Sequence, residues 1–157
     1  MKLLAGLLML LCAGSAAADC AAPADWARTF YSKHYLFYSG DPAPVLKLTT
    51  AGFGAYLKKE WEWTKGEVGS FDYDPWLGAQ DGKIGKPVRF SIEKETPDAA
   101  DVLMSYPFVL EPKRPSKPHT VHLALRKSAH GCWQLNDFVT PLGESLSQLY
   151  SAGQPQQ

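Results

Sequence analysis

Hydrophobic positions follow a helical period through the first half of the chain and a period of two through the second. From Pro23 to Tyr38, Trp26, Phe30 and Phe37 recur at helical spacing, Ala27, Tyr31, Tyr35 and Tyr38 form a second stripe, and Gly40, Asp41 and Pro42 stop the segment. A helix that is aromatic on two sides needs cover, which a curved sheet would supply. A short helical segment is expected from Pro44 to Leu48. Thr49 or Thr50 can then cap a second helix with Phe53, Leu57 and Trp61 on one face, Lys58, Lys59, Glu60 and Glu62 on the remaining surface, and Gly66 at its end.

After a loop-like stretch from Val68 to Gly85, alternation takes over. Val88, Phe90 and Ile92 alternate with Arg89, Ser91 and Glu93, and Val121, Leu123 and Leu125 alternate with His122, Ala124 and Arg126. Between these runs Ala100 to Leu110 is a more continuous apolar strand, joined to the next by the proline-rich, basic segment Glu111 to Pro118. A fourth strand, Gly131 to Thr140, would carry Trp133, Leu135, Asp137 and Val139 on one side, and Pro141 to Ala152 closes as a helix. The expected fold class is α+β: N-terminal helices packed on a curved four-stranded antiparallel sheet, with a short C-terminal helix. No internal repeat or domain linker interrupts it.

The first residues read differently from the rest. Met1 and Lys2 give a positive start, Leu3 to Cys12 is nearly unbroken apolar sequence, and Ala16, Ala17 and Ala18 are small. Residues 1–18 are therefore expected to be a signal peptide, followed by a single domain over 19–153 and a disordered tail over 154–157. The apolar run falls short of the about 20 residues that span a bilayer, so no stable membrane insertion is expected once it is cleaved. Leu11 before Cys12 and Asp19 before Cys20 are poor matches to the small residue that lipid attachment requires. A periplasmic or secreted product keeps only Cys20 and Cys132, which in an oxidising compartment most simply form one disulfide. Neither cysteine has a CxxC partner, so metal or thiol chemistry is not expected of them.

Charge and composition exclude more than they assign. Sixteen Lys and Arg face sixteen Asp and Glu, which removes the electrostatic attraction a nucleic-acid binder depends on. A hydrophobic content of 45% excludes a disordered chain. The charges are nevertheless unevenly placed: acids gather between Asp72 and Asp81, and bases between Lys113 and Lys117.

The opening Trp26, Phe30, Tyr31 and Tyr35, the central Asp72-Tyr73-Asp74-Pro75-Trp76-Leu77-Gly78-Ala79-Gln80-Asp81 and the closing Trp133-Gln134-Leu135-Asn136-Asp137-Phe138 resemble secreted bacterial domains of unknown function. That group is similar to the nuclear transport factor two-like, cystatin-like superfamily. The resemblance implies a cone-shaped scaffold and no particular activity, since the scaffold hosts enzymes, binding modules and inhibitors alike.

The candidate chemistry is concentrated in the central loop. Asp72, Asp74, Gln80 and Asp81 offer oxygen ligands, but not at the spacing of a calcium-hand loop, and turn chemistry explains Asp74 before Pro75 and Asp81 before Gly82 equally well. Trp61, Trp63, Phe71, Tyr73 and Trp76 crowd beside these acids, a combination typical of protein interaction centres or, alternatively, of a core satellite beneath the loop. His119 and His122 sit on opposite faces of a strand, and His34 and His130 stand alone.

Two functional expectations follow. The first is a non-catalytic exported module that binds another protein of the envelope through Asp72, Tyr73, Asp74, Trp76, Gln80 and Asp81, in the manner of periplasmic immunity or inhibitor proteins, with no catalytic residues, metal or cofactor. The second is a small cone-fold enzyme or ligand carrier with an interior pocket, whose polar groups would be His34, Tyr31, Tyr35 and an inward Asp137. An inward, unpaired carboxylate is costly, so Asp137 must either be bonded or be turned outward by a bulge in its strand.

Overall fold

The structure, a computed structural model, describes residues 20–153. The expected signal peptide and the expected tail lie outside them. Three helices and a curled antiparallel sheet make an α+β fold of the expected class. Helix α1 (Pro23–Lys33), a 3-10 turn (Leu46–Leu48) and helix α2 (Ala51–Thr64) precede strands β1 (Lys83–Ile84), β2 (Arg89–Glu95), β3 (Ala99–Val109), β4 (Lys117–Lys127) and β5 (Trp133–Val139). Helix α3 (Leu146–Gly153) follows.

The central pair, β3 and β4, shows why this sequence makes a one-sided sheet. Their register sets Ala100 opposite Leu125, Val102 opposite Leu123 and Met104 opposite Val121, all buried, while the alternate residues look outward. β1 and β2 run in succession along the other edge of β3, and β5 completes the sheet beyond β4. Register shifts at Ile92/Lys94 and at Ala124/Leu125 add local twist, which helps the sheet curl. Helix α1 covers β2 and β3, whereas α2 and α3 pack together against β5.

Helix starts follow the expected chemistry. Thr50 caps α2, its hydroxyl accepting from Phe53 N–H, and Pro23 opens α1, where its missing N–H costs nothing. Helix α1 stops earlier than the aromatic stripes suggest. Turns closed by Phe37 N–H to His34 C=O and by Ser39 N–H to Leu36 C=O replace the last helical turn. The physical reason is tertiary: the Tyr35 carbonyl, which a longer helix would use internally, accepts the indole N–H of Trp76 at 2.8 Å. Phe37 is thereby turned into the core, where its ring meets Phe53, Trp76 and Phe138.

Cys20 and Cys132 form a disulfide that ties the segment before α1 to the start of β5, closing a separation of 112 residues. Among the described residues no helix is long and apolar enough to cross a membrane.

Candidate functional site

The central loop is built outward from one carboxylate. Asp74 Oδ1 accepts the Trp76 N–H at 2.8 Å, and its backbone carbonyl accepts the N–H groups of Leu77 and Gly78, so the segment closes as a tight turn. Asp74 Oδ2 accepts the Tyr35 hydroxyl at 2.6 Å, which locks this turn to the chain leaving α1. The Trp76 indole returns the link through the Tyr35 carbonyl, and the Tyr106 hydroxyl donates to the Trp76 carbonyl. Trp76 is 0% exposed, its ring set against Tyr31, Tyr35, Phe37 and Phe138 at centroid distances of 4.7 to 5.9 Å.

This geometry corrects the expected contact set at one position. Trp76 is not a surface residue. It fills the interior of the curled sheet, and Asp74 holds it there. The same observation bears on the interior pocket: Tyr31 and Tyr35 pack on the Trp76 ring, and His34 caps the end of α1 with its ring against Phe30.

Of the two expected places for Asp137, the structure shows the one produced by a bulge, which removes it from the interior pocket set. Ala124 pairs with Asp137 and Leu125 with Leu135, so Asn136 is the extra residue of a bulge, and Phe138 takes the inward place. The Asp137 carboxylate turns to the α3 end of the chain instead, accepting the hydroxyls of Ser145 at 2.6 Å and Ser147 at 2.9 Å and the Ser147 N–H at 3.1 Å. It is a cap for the last helix rather than a pocket acid. Asp137→Ala is expected to lower stability by about 1–2 kcal/mol, as loss of a helix cap does, measured by denaturant unfolding. A change within about 0.5 kcal/mol, the usual span for exposed positions, would show that the serines do not need it.

A concavity of about 430 Å³ lies between the last turns of α2, the residues 66–74 and the turn around residues 38–40. Four acidic side chains line it: Glu60, Glu67, Asp72 and Asp74. Five aromatic rings, those of Phe37, Tyr38, Trp61, Phe71 and Tyr73, form its walls, and no lysine, arginine or histidine lines it. Of the expected contact residues, Asp72, Tyr73, Asp74 and Gln80 meet here, with Gln80 Nε2 donating to Asp72 Oδ2 at 2.9 Å. Asp81 lies outside, beside a separate shallow depression. Trp63 is exposed on α2, away from the walls of the concavity.

Glu60 belongs to this site, although the charged residues around it on α2 point to a solvated side chain. It is only 7% exposed, and its carboxylate accepts Ser70 N–H at 2.6 Å and Ser70 Oγ–H at 2.8 Å. A Cβ at Gly69 would come within 2.1 Å of Glu60 Oε1, so glycine is what lets the loop pass this close. Positions 53, 57 and 60 share one helical face, and that spacing is the signal that could have found Glu60. Tyr73 donates to Glu144, a contact between distant segments that no local spacing shows.

The phenols around the site are held protonated. Burial first, and then the Asp74 carboxylate, push the Tyr31, Tyr35, Tyr38 and Tyr106 hydroxyls upward; burial and then Glu144 do the same to Tyr73, and burial and then Glu60 to Tyr150. In the unfolded chain these groups ionise near their ordinary value of 10. The folded chain therefore binds more protons above that pH, so the tyrosine contribution to stability is intact below pH 10 and is lost as pH rises further. Tyrosinate absorbance is expected to appear together with loss of tertiary structure in an alkaline titration. Free titration of these six phenols near pH 10 by a chain that stays folded would contradict this.

The other candidate groups are occupied locally. His119 donates from Nδ1 to the Leu77 carbonyl at 3.0 Å and stacks on Phe108, while His122 lies 3.6 Å from Glu93. In the basic segment between β3 and β4, Arg114 pairs with Glu111 at 3.1 Å, both exposed. Among the described residues no three His, Cys, Asp or Glu side chains converge on a common metal position.

No family model, curated protein or solved structure matches this chain.

Proposed function

We propose that the chain is an exported, non-catalytic binding module that docks another protein of the cell envelope on the concavity between α2 and the central loop, acting as an immunity or inhibitor protein does. The observation that carries this reading is the division of labour in residues 71–76. The Trp76 side chain is consumed by the core, while Phe71, Asp72 and Tyr73 line a concavity whose four acids and five aromatic rings are the chemistry of an interaction centre. Export is supported by the leader-like start of the sequence and by the Cys20–Cys132 bridge. Membership of the cystatin-like superfamily is proposed on the quoted motifs and on the helices packed against a curled antiparallel sheet.

An interior site for an enzyme or carrier is not favoured, because Trp76, Met104 and Phe138 fill the space between the sheet and the helices. The test is affinity capture from envelope extract with the folded chain and with a Val68→Asp, Asp72→Lys variant altered at the mouth of the concavity. One stoichiometric protein recovered by the first and lost with the second is the expected result. Recovery of no protein, or equal recovery by both, would refute the docking site.

A further inference from the structure

The inner face of the sheet closes the core, and the outer face carries a depression of its own. Three strands bring Arg89, Ser105 and Thr120 into one row there, since Arg89 pairs with Ser105 and Ser105 with Thr120. Directly opposed residues share a face, and the alternate residues Met104, Tyr106 and Val121 are buried on the other. The next outward row toward the β3–β4 connection sets Pro107 opposite Pro118. With Pro87 and Ser116 these residues line a depression of about 380 Å³, within the range of about 300 to 1,000 Å³ that small ligands occupy. The facing prolines break a local rule of sheets: proline offers no N–H to a ladder and is scarce on inner strands such as β3 and β4. Standing on the outer face, the two rings add nothing to the core, and departures of this kind concentrate at functional sites.

The charge of the depression is a separate observation. No aspartate or glutamate lines it, and Arg89 is its one permanent charge. Among the described residues the Arg89 guanidinium takes no part in the ion pairs, which join Arg28 to Asp25, Arg114 to Glu111 and His122 to Glu93, and it donates no hydrogen bond. The first carboxylate along β2, Glu93, stands four residues on and belongs to His122. Two other polar side chains of the lining are committed inward, His119 to the Leu77 carbonyl and Tyr106 to the Trp76 carbonyl. The Ser105 and Thr120 hydroxyls lie 3.3 Å apart, so one donates to the other and one hydrogen remains to point outward. Lys86 and Lys117 flank the wall prolines in sequence, and with Lys113 they make the surrounding field positive. The basic segment between β3 and β4 thereby gains a use that its sequence alone does not give.

We infer that this depression binds a carboxylate carried on an apolar body, with its oxygens on the Arg89 guanidinium and the free hydroxyl hydrogen of the Ser105–Thr120 pair and its body against Pro107 and Pro118. A guanidinium presents parallel N–H donors that match the two oxygens of a carboxylate. Its single positive charge balances one negative charge, whereas a phosphate group carries about −1.5 to −2. The rigid proline rings supply apolar surface that needs no ordering on binding. The depression shares no residue with the concavity beside α2, and the inference does not rest on the binding-module reading.

The test uses 3-phenylpropanoate as the probe, 3-phenylpropanamide as its neutral control of nearly the same shape, and inorganic phosphate. Binding is followed by backbone amide shifts of the full folded chain at low salt. Saturable shifts are expected at Arg89, Ser105, Ser116 and Thr120, with the carboxylate bound about tenfold or more tightly than the amide and weakening as salt is raised. Arg89→Gln, a change at an exposed position, should leave the melting temperature in place and lose about tenfold in affinity, and Ser105→Ala should lose severalfold. Lys113→Gln, the same change of charge outside the lining, should lose no more than about twofold. The source of the carboxylate is read from a second pair of probes, N-acetyl-Ala-Phe with a free and with an amidated end: tighter binding of the free peptide than of 3-phenylpropanoate assigns a chain terminus, and the reverse assigns a free acid. Equal binding of 3-phenylpropanoate and its amide, no saturable shift, shifts centred elsewhere, tighter binding of phosphate, or equal losses from the changes at 89 and 113 would each overturn the inference.

Discussion

Trp76→Ala is expected to remove about 3–5 kcal/mol of stability, the range for deleting a large buried aromatic side chain. Domains have only about 5–15 kcal/mol in total, so the variant should melt on the order of 10–20 °C lower or fail to accumulate folded. The size of the effect follows from where the ring sits. It is 0% exposed and touches the rings of Tyr31, Tyr35, Phe37 and Phe138, so it joins the end of α1, the following turn and β5 in one cluster. Trp76→Phe separates two parts of the cost. It keeps much of the packing but strands the Tyr35 carbonyl, which now accepts the indole N–H, at about 1–3 kcal/mol if that group stays dry. Trp63→Ala is the control: this side chain is 44% exposed and should change stability by no more than about 0.5 kcal/mol. Comparable melting shifts for the Trp76 and Trp63 variants would mean that the central loop does not anchor the fold.

The disulfide carries the second large effect. Replacing Cys20 and Cys132 together by serine releases a constraint on 112 residues of the unfolded chain, which on the loop-entropy model is worth about 4–5 kcal/mol. The bridge joins the segment ahead of α1 to the start of β5, since Cys20 lies before the first residue of α1. Denaturant unfolding of the oxidised and reduced chain, or of the wild type and the double serine variant, should therefore show a shifted midpoint with an intact native spectrum. A difference below about 1 kcal/mol would show that the unfolded chain keeps this region compact without the cross-link.

Much of the architecture was legible because it depends on neighbours in sequence. The alternation through Val121, Leu123 and Leu125 and the Thr50 cap are local patterns, and the pairing of two leftover cysteines needs only a count; each has its expected place. The end of α1 was not legible. It is decided by an indole 41 residues away competing for the Tyr35 carbonyl, and no stripe of aromatics in residues 23–38 contains that information. Asp137 shows a related limit. Period-two reading assigns it to the inner face, and a single extra residue, Asn136, reverses the assignment for Phe138 and everything after it.

The candidate site was half legible for the same reason. The acids and rings of residues 71–81 were visible as a composition, but which of them face inward depends on Asp74 bonding to Tyr35 and on the Tyr106 hydroxyl meeting the Trp76 carbonyl. Glu60 was hidden by its type: a glutamate that follows two lysines on a helix looks solvated until its carboxylate is seen holding Ser70. The outcome is a loop with two sides, an apolar one that closes the core and an acidic, aromatic one that borders the concavity.

That two-sidedness is tested most directly by site-specific photo-crosslinking in intact cells that express the protein. A photoreactive phenylalanine analogue is placed in turn at Val68, at the mouth of the concavity, and at Ile92, an exposed position on β2 across the molecule's sheet edge. One discrete adduct of higher mass is expected from position 68 and none from position 92. Adducts from position 92 alone, or from neither position, would contradict it.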